Sequence, residues 1–258
     1  WSLISSTVRQ CQATPWVIGS LSVEELQPFI DVMKKIEPYD DPRRFAWLFD
    51  DEGRIVVSGL TMFDAGFSDC LWDMRSDAIR VVVVWGVEKL RFFVQNVKDP
   101  VVAGLCIARE APELEPEILT WLGDESVGLY KSASAFVQYV AVERGVAWVS
   151  EVLRSSLLTR DGSKRFVAAL PAEKAYWELV SEFEPLLAQA YWECMNVTAI
   201  EREGREEAVD LFLERGCVSQ AIALLWFMLH DGPEPTLERI VEALVCLIGA
   251  SDQVGGRG

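Results

Sequence analysis

Hydrophobic residues recur at intervals of three and four along most of the chain, the spacing that lines one face of a helix. The first clear case follows Ser22-Val23-Glu24-Glu25, which has the pattern of a capping box. Leu26, Phe29, Ile30 and Met33 then keep helical spacing, and this helix is expected to stop near Ile36, ahead of Pro38. The stretch EPYDDPRR reads as a loop, and RFAWLFDD as the start of another helix that a turn at Gly53 ends. Residues 54–77 hold no steady period: RIVVSG suits a short strand, while Gly59 and Gly66 break any long helix. The run IRVVVVW is β-branched enough for a buried strand. It continues, however, into GVEKLRFFVQNV, where Val82, Trp85, Leu90, Phe93 and Val97 keep a rough helical spacing, so the whole segment is read as helix.

From Asp99 onward the punctuation becomes regular. Asp99-Pro100 places an N-cap residue before a proline at the first helical position, opening a helix through Ala108 that Pro112 closes. A helix over 115–122 stops at Gly123, a longer one over 126–143 ends at Gly145, and 146–158 follows to the Asp161-Gly162 turn. Helices then fit 163–169, 173–182, 185–196, 203–215, 217–230 and 235–248. Such short helices on short connectors are expected to pack as antiparallel neighbours. Trp121, Trp148, Trp177, Trp192 and Trp226 recur through this half without a fixed period, each among aliphatic residues, which points to inter-helix core. The expected fold is therefore all-α: an irregular α-solenoid of antiparallel helix pairs over 78–249, preceded by a less regular helical and loop region over 1–77 and followed by a flexible tail over 250–258.

Composition narrows the function classes. Half of the 258 residues are hydrophobic and a quarter charged, which excludes a disordered chain. The longest uncharged apolar stretch, Cys217–His230, falls short of the ~18–20 residues that span a bilayer. The chain opens on Trp1 with no basic n-region, so no signal peptide is read, and it is expected to be a piece of a longer polypeptide. A net charge of -16 argues against nucleic acid and anionic membrane as direct partners, since both require clustered Lys and Arg. The cysteines at 11, 70, 106, 194, 217 and 246 form no CxxC pair, and the chain has one histidine, so no zinc site is expected. Cys106, Cys194 and Cys246 sit in apolar helical patterns as small core residues, and reduced thiols suit a cytoplasmic location.

Gly123-Asp-Glu-Ser-Val-Gly128 has the glycine spacing of a phosphate-binding loop, but Leu129 stands where the lysine belongs and Asp124 and Glu125 repel phosphate. His230 closes an apolar helix, where the dipole favours such a residue without catalysis. Asp50-Asp51-Glu52-Gly53 lacks the alternating acids of a calcium loop. No catalytic, cofactor or metal residue is assigned, and no cofactor. The sharper feature is the acidic segment ending at Glu214, where Glu201, Glu203, Glu206, Glu207 and Asp210 meet few basic neighbours in sequence and form a candidate face for a basic protein partner. A second reading, from a different class, is a small-molecule-binding or enzymatic helical domain with a pocket near residues 45–85, where SGLTMFDAGFSDCLWDM is dense in Gly, aromatics and Asp.

One stretch resembles a known kind of protein. Tyr191-Trp192, followed by Ala208, Val209, Leu211, Gly216, Ala221, Leu224 and Leu225, is similar to the helical-repeat (TPR/HEAT-like) regions of large bacterial multidomain proteins. The resemblance covers about 170–230. It implies a protein-recognition or scaffolding role, such as the C-terminal sensor of a STAND-type NTPase in bacterial defence, with the nucleotide motor outside this chain. It carries over no functional residue.

Overall fold

The computed structural model describes residues 2–13, 21–50, 55, 57, 60–231, 239–241 and 243–246. Among them the regular structure is helical, as the periodicity predicts, and the one ladder-type pairing is an isolated antiparallel bridge between Val57 and Leu60. The chain divides into two compact units, Trp1–Phe136 and Val137–Gly258.

Unit 1 begins with α1 (Ser2–Ala13) and α2 (Val23–Lys35), which pack on each other. The capping box at the head of α2 is present in both directions: Glu25 N–H donates to Ser22 Oγ at 3.2 Å, and Ser22 N–H to Glu25 Oε2 at 2.8 Å. That bond to the Ser22 backbone holds the Glu25 carboxyl below its ordinary range. The helix expected from Arg44 is a 3-10 segment, Pro42–Phe49, which Asp41 caps and whose first φ Pro42 fixes. Its end is pinned from three sides. Arg75, buried in α3 (Phe67–Val84), donates from Nε to Leu48 O at 2.7 Å. The Phe49 ring meets Phe93 edge-on at 5.2 Å, and Asp99 N–H donates to Phe49 O at 2.9 Å.

The β-branched run 81–84 is helical because Ile79 and Val82 face the core while Val81 and Val84 turn outward, so burial overrides local propensity. The single helix expected through 97 is corrected. It breaks at Gly86, whose φ of 99° few side-chain-bearing residues tolerate, and resumes as α4 (Val87–Asn96). Much of the strand expected at RIVVSG lies outside the described residues, as does the Gly53 turn. Of that stretch, Ile55 and Val57 are buried. In α5 (Pro100–Glu110), Asp99 Oδ1 accepts from the N–H groups of Val101 and Val102 at 3.1 Å each, as the Asp-Pro pair predicts. α6 (Glu115–Thr120) follows, and α7 (Val127–Arg154) starts in unit 1. The helix end expected at Gly145 is there: α7 leaves helical geometry at that residue, with φ 70° and ψ -169°.

Unit 2 contains α8 (Arg160–Ala168), α9 (Lys174–Ser181), α10 (Pro185–Cys194), α11 (Arg205–Glu214) and α12 (Val218–Asp231). α10 packs on α8 and α9, and α12 on α11. The core is aromatic: Trp192 is fully buried against Trp177, Tyr191 and Phe212, at ring separations of 5.9, 5.5 and 5.4 Å. Both buried tyrosines spend their hydroxyls on backbone. Tyr176 donates to Ala141 O at 2.6 Å and Tyr191 to Pro171 O at 2.7 Å. Residues 239–241 and 243–246 are helical; the remainder of the helix expected over 235–248, and the tail over 250–258, lie outside the described residues.

Two expectations about the core need correction. Trp226 is 61% exposed, stacked on His230 at 4.3 Å instead of filling an inter-helix gap. Cys194 is exposed, whereas Cys106 is fully buried and burial pushes its thiol up to about 12. A thiol reagent at pH 8 should therefore label Cys194 on the folded protein and reach Cys106 only on unfolding; equal labelling rates would contradict the packing of α5. The same shift sets a pH dependence. Below about 9, the ordinary value of a thiol, it contributes no slope; from there to about 12 only the unfolded chain ionises, so stability falls by about 1.4 kcal/mol per pH unit. Replacing Cys106 with Ala should remove that portion of the alkaline loss.

Candidate functional site

Unit 1 forms a pocket, open to solvent on one side, of about 470 Å³, within the ~300–1,000 Å³ range of small-ligand pockets. Four elements build it. α1 presents Val8, Arg9 and Gln12, and α2 presents Ile30 and Met33. The 3-10 segment supplies Arg44, Phe45, Trp47 and Leu48, and α3 supplies Met74, Asp77, Ala78 and Val81, with Glu37 closing the remaining side.

Its walls are apolar with arginines laid on aromatic faces. The Arg9 guanidinium lies 4.1 Å from the Trp47 ring centroid, and burial, partly offset by Glu37, pulls it down to about 10, which leaves it charged at neutral pH. Arg44 lies 4.6 Å from the Phe45 ring and 5.9 Å from Trp85, and Phe45 stacks on Trp85 at 6.1 Å. Arg44 Nη1 donates to Tyr39 O at 3.3 Å, and its Nε stands 3.7 Å from Glu37 Oε1, too far for a hydrogen bond. Among the described residues that buried Nε finds no hydrogen-bond acceptor. Asp77 is turned to the rim: 72% of its side chain is exposed and it is bonded to Arg80 at 2.8 Å.

The span 45–85 thus contributes Phe45, Trp47, Leu48, Met74, Asp77, Ala78 and Val81 to the cavity. The glycine-rich loop singled out within it does other work. Asp64 accepts from Thr61 N–H at 2.7 Å and Thr61 Oγ1 at 2.8 Å, closing a turn ahead of α3, and Met62 and Phe63 are exposed. Sequence reasoning missed α1 and α2 as the opposite wall, since nothing local to residues 8–12 or 30–33 marks them as facing residues 74–81.

The acidic face lies at the head of α11. Glu201, Glu203, Glu206 and Glu207 are exposed, and the Asp210 side chain is 48% exposed. Cations distant in sequence reach part of this set. Lys174 Nζ is 2.7 Å from Glu207 Oε2, and Arg239 is 3.1 Å from Glu206 and 2.9 Å from Asp210. The bond to Glu207 raises the Lys174 ammonium above its ordinary value. Glu201 and Glu203 make no ion pair among the described residues.

The remaining motifs have structural roles. In Gly123–Gly128, Asp124 binds Arg91 at 2.8 Å and caps Ser126 N–H at 2.8 Å. A Cβ on Gly128 would come 3.1 Å from Val94 O, so this glycine permits close helix packing. Lys131 is exposed and Ser132 fully buried. His230, exposed, holds its Nδ1 2.7 Å from Trp226 O and so donates to that carbonyl. Asp50 pairs with Lys98 at 2.8 Å, and residues 51–54 lie outside the described set. Among the described residues, no three His, Cys, Asp or Glu side chains gather as a metal site, and no helix is long and apolar enough to cross a membrane.

No family model, curated protein or solved structure matches the chain.

Proposed function

We propose that this chain is a non-catalytic protein-recognition module. In this reading its helix pairs stack as an irregular α-solenoid of the TPR/HEAT type, and the head of α11 receives a basic segment of a partner protein. The observation that carries the reading is the exposure of Glu201, Glu203, Glu206 and Glu207 within one short stretch, with only the last two held by internal cations. Opposite charge there steers association and fixes register more than it adds affinity. Two further features support a binding role over chemistry. The buried thiol of Cys106 and the hydroxyl of Tyr191 are pushed up by burial, away from the ionised forms that nucleophiles need. The free thiols suit a cytoplasmic setting, and the module fits the sensor arm of a larger bacterial regulatory protein.

Reversing Glu201 and Glu203 to Lys tests this, because neither supports an ion pair of the fold. Circular dichroism should be unchanged. A partner captured by the wild-type chain at low salt should be recovered at least about tenfold less by the double variant, as expected when attractive charges at an interface become repulsive. Unchanged recovery would exclude this face from recognition.

A further inference from the structure

We propose that the unit 1 pocket binds a neutral, largely apolar ring compound, and that it excludes the ionised analogues of that compound whichever sign they carry. This site is independent of the acidic face at α11, which belongs to unit 2.

The larger part of the wall sets the body of the ligand. Ile30, Met33, Phe45, Trp47 and Met74 are only half-buried in the folded chain, and Val81 is 37% exposed. They come from three elements, α2, the 3-10 segment and α3, yet they line one concave space. Apolar surface left to water in a concave site is the surface that a ligand gains most by covering. Met33 and Met74, one on α2 and one on α3, are unbranched and polarisable, so they adapt to the edges of more than one ring shape.

The charge of the ligand follows from what the ionic side chains of the wall already do. Among the described residues the wall holds two cations, Arg9 and Arg44, and two anions, Glu37 and Asp77, which balance. Arg44 has Nη1 on the Tyr39 carbonyl at 3.3 Å and Nε turned to Glu37 Oε1 at 3.7 Å. The Glu37 charge also acts on Arg9, whose guanidinium lies 4.1 Å from the Trp47 ring centroid. Asp77 is bonded to Arg80 at 2.8 Å, with 72% of its side chain exposed. An entering carboxylate would have to draw a cation away from Glu37, and an ammonium would have to draw an anion away from Arg44 or Arg80. Either exchange strands a protein charge; without it the ligand's own charge stays unpaired against hydrocarbon. Burial is what lowers the Arg9 guanidinium, so the α1 side of the wall is poorly hydrated and water there offsets little of that penalty. A neutral ligand disturbs none of these contacts. Gln12, an uncharged polar side chain of the wall, can both donate and accept, which suits a hydroxyl or carbonyl carried on the ring.

The test is calorimetric titration of the full chain with three naphthalenes of nearly equal size: naphthylethanol, naphthylacetate and naphthylethylammonium. The alcohol should bind, and each ion should bind at least about tenfold more weakly, as expected for a charge buried without a partner. Val81→Trp on α3 and Met33→Trp on α2 fill the space from two different helices, and each should weaken the alcohol at least about tenfold. Val84→Trp, on the same helix at a position 85% exposed and outside the wall, should bind the alcohol as the parent does. All three variants should keep the far-ultraviolet dichroism of the parent. An ion that binds within a few-fold of the alcohol, alcohol binding that survives both blocking variants or is lost in Val84→Trp, or no alcohol binding at millimolar concentration would each overturn the proposal.

Discussion

Gly104→Ala is expected to destabilise unit 1 by at least about 3 kcal/mol, the upper end of ordinary overpacking. A Cβ built on Gly104 falls 2.1 Å from Ser132 O, 2.8 Å from its carbonyl carbon and 2.9 Å from its Cα. These are backbone atoms of α7, so no rotamer change relieves the contact; α5 and α7 must separate. Separation would admit water beside Ala103, Cys106 and Ile107 of α5 and Ala133 and Phe136 of α7, all buried. Ala is the better helix former by about 1 kcal/mol, but that gain is smaller than the cost of parting two helices. Thermal or urea denaturation followed by circular dichroism should show an early transition in the variant. Ser132→Gly in the same background should give no rescue, since the colliding atoms are common to every residue. A Gly104→Ala chain that melts with the wild type would mean that α5 and α7 do not cross at this distance.

What could be read in advance, and what could not, divides by the range of the interaction. The Ser22–Glu25 box, the Asp99-Pro100 start and the end at Gly145 are contained within a few residues, and each stands where its local chemistry places it. The break at Gly86 was also local. The apolar spacing of Val82, Trp85 and Leu90 continues across it and masked the positive φ that ends α3. The ion pairs of the acidic face are hidden from the sequence for a different reason. Its cations, Lys174 and Arg239, lie 33 residues before Glu207 and 29 after Asp210, beyond any window in which charge is counted along a chain. The cavity is the extreme case, since residues 8–12 and 30–33 meet 74–81 only through the folded packing of unit 1. Even the orphaned Arg44 Nε has no signature in the local sequence Pro42-Arg43-Arg44-Phe45.

Trp192→Ala should cost about 3–5 kcal/mol, while Trp226→Ala should stay within about 1 kcal/mol, although both residues stand in similar apolar helical patterns. Burial separates them: Trp192 is fully enclosed, and Trp226 is 61% exposed with only His230 stacked on it. Trp192 also joins three helices. Its ring meets Trp177 of α9 and Phe212 of α11 edge or tilt, and the Arg215 guanidinium lies 5.0 Å from its centroid. Removing it leaves a void of ring size bounded by groups that cannot all collapse inward, so cavity cost adds to lost transfer energy. Trp192→Phe refines the test. Among the described residues the buried indole Nε1 has no hydrogen-bond partner, so phenylalanine loses area but also removes an unsatisfied donor. The Phe variant should therefore lie well above the Ala variant in urea midpoint and keep the far-ultraviolet dichroism of the parent. If Trp226→Ala proved as damaging as Trp192→Ala, the exposed side of α12 would have to be core, and the packing of α11 on α12 described above would be wrong.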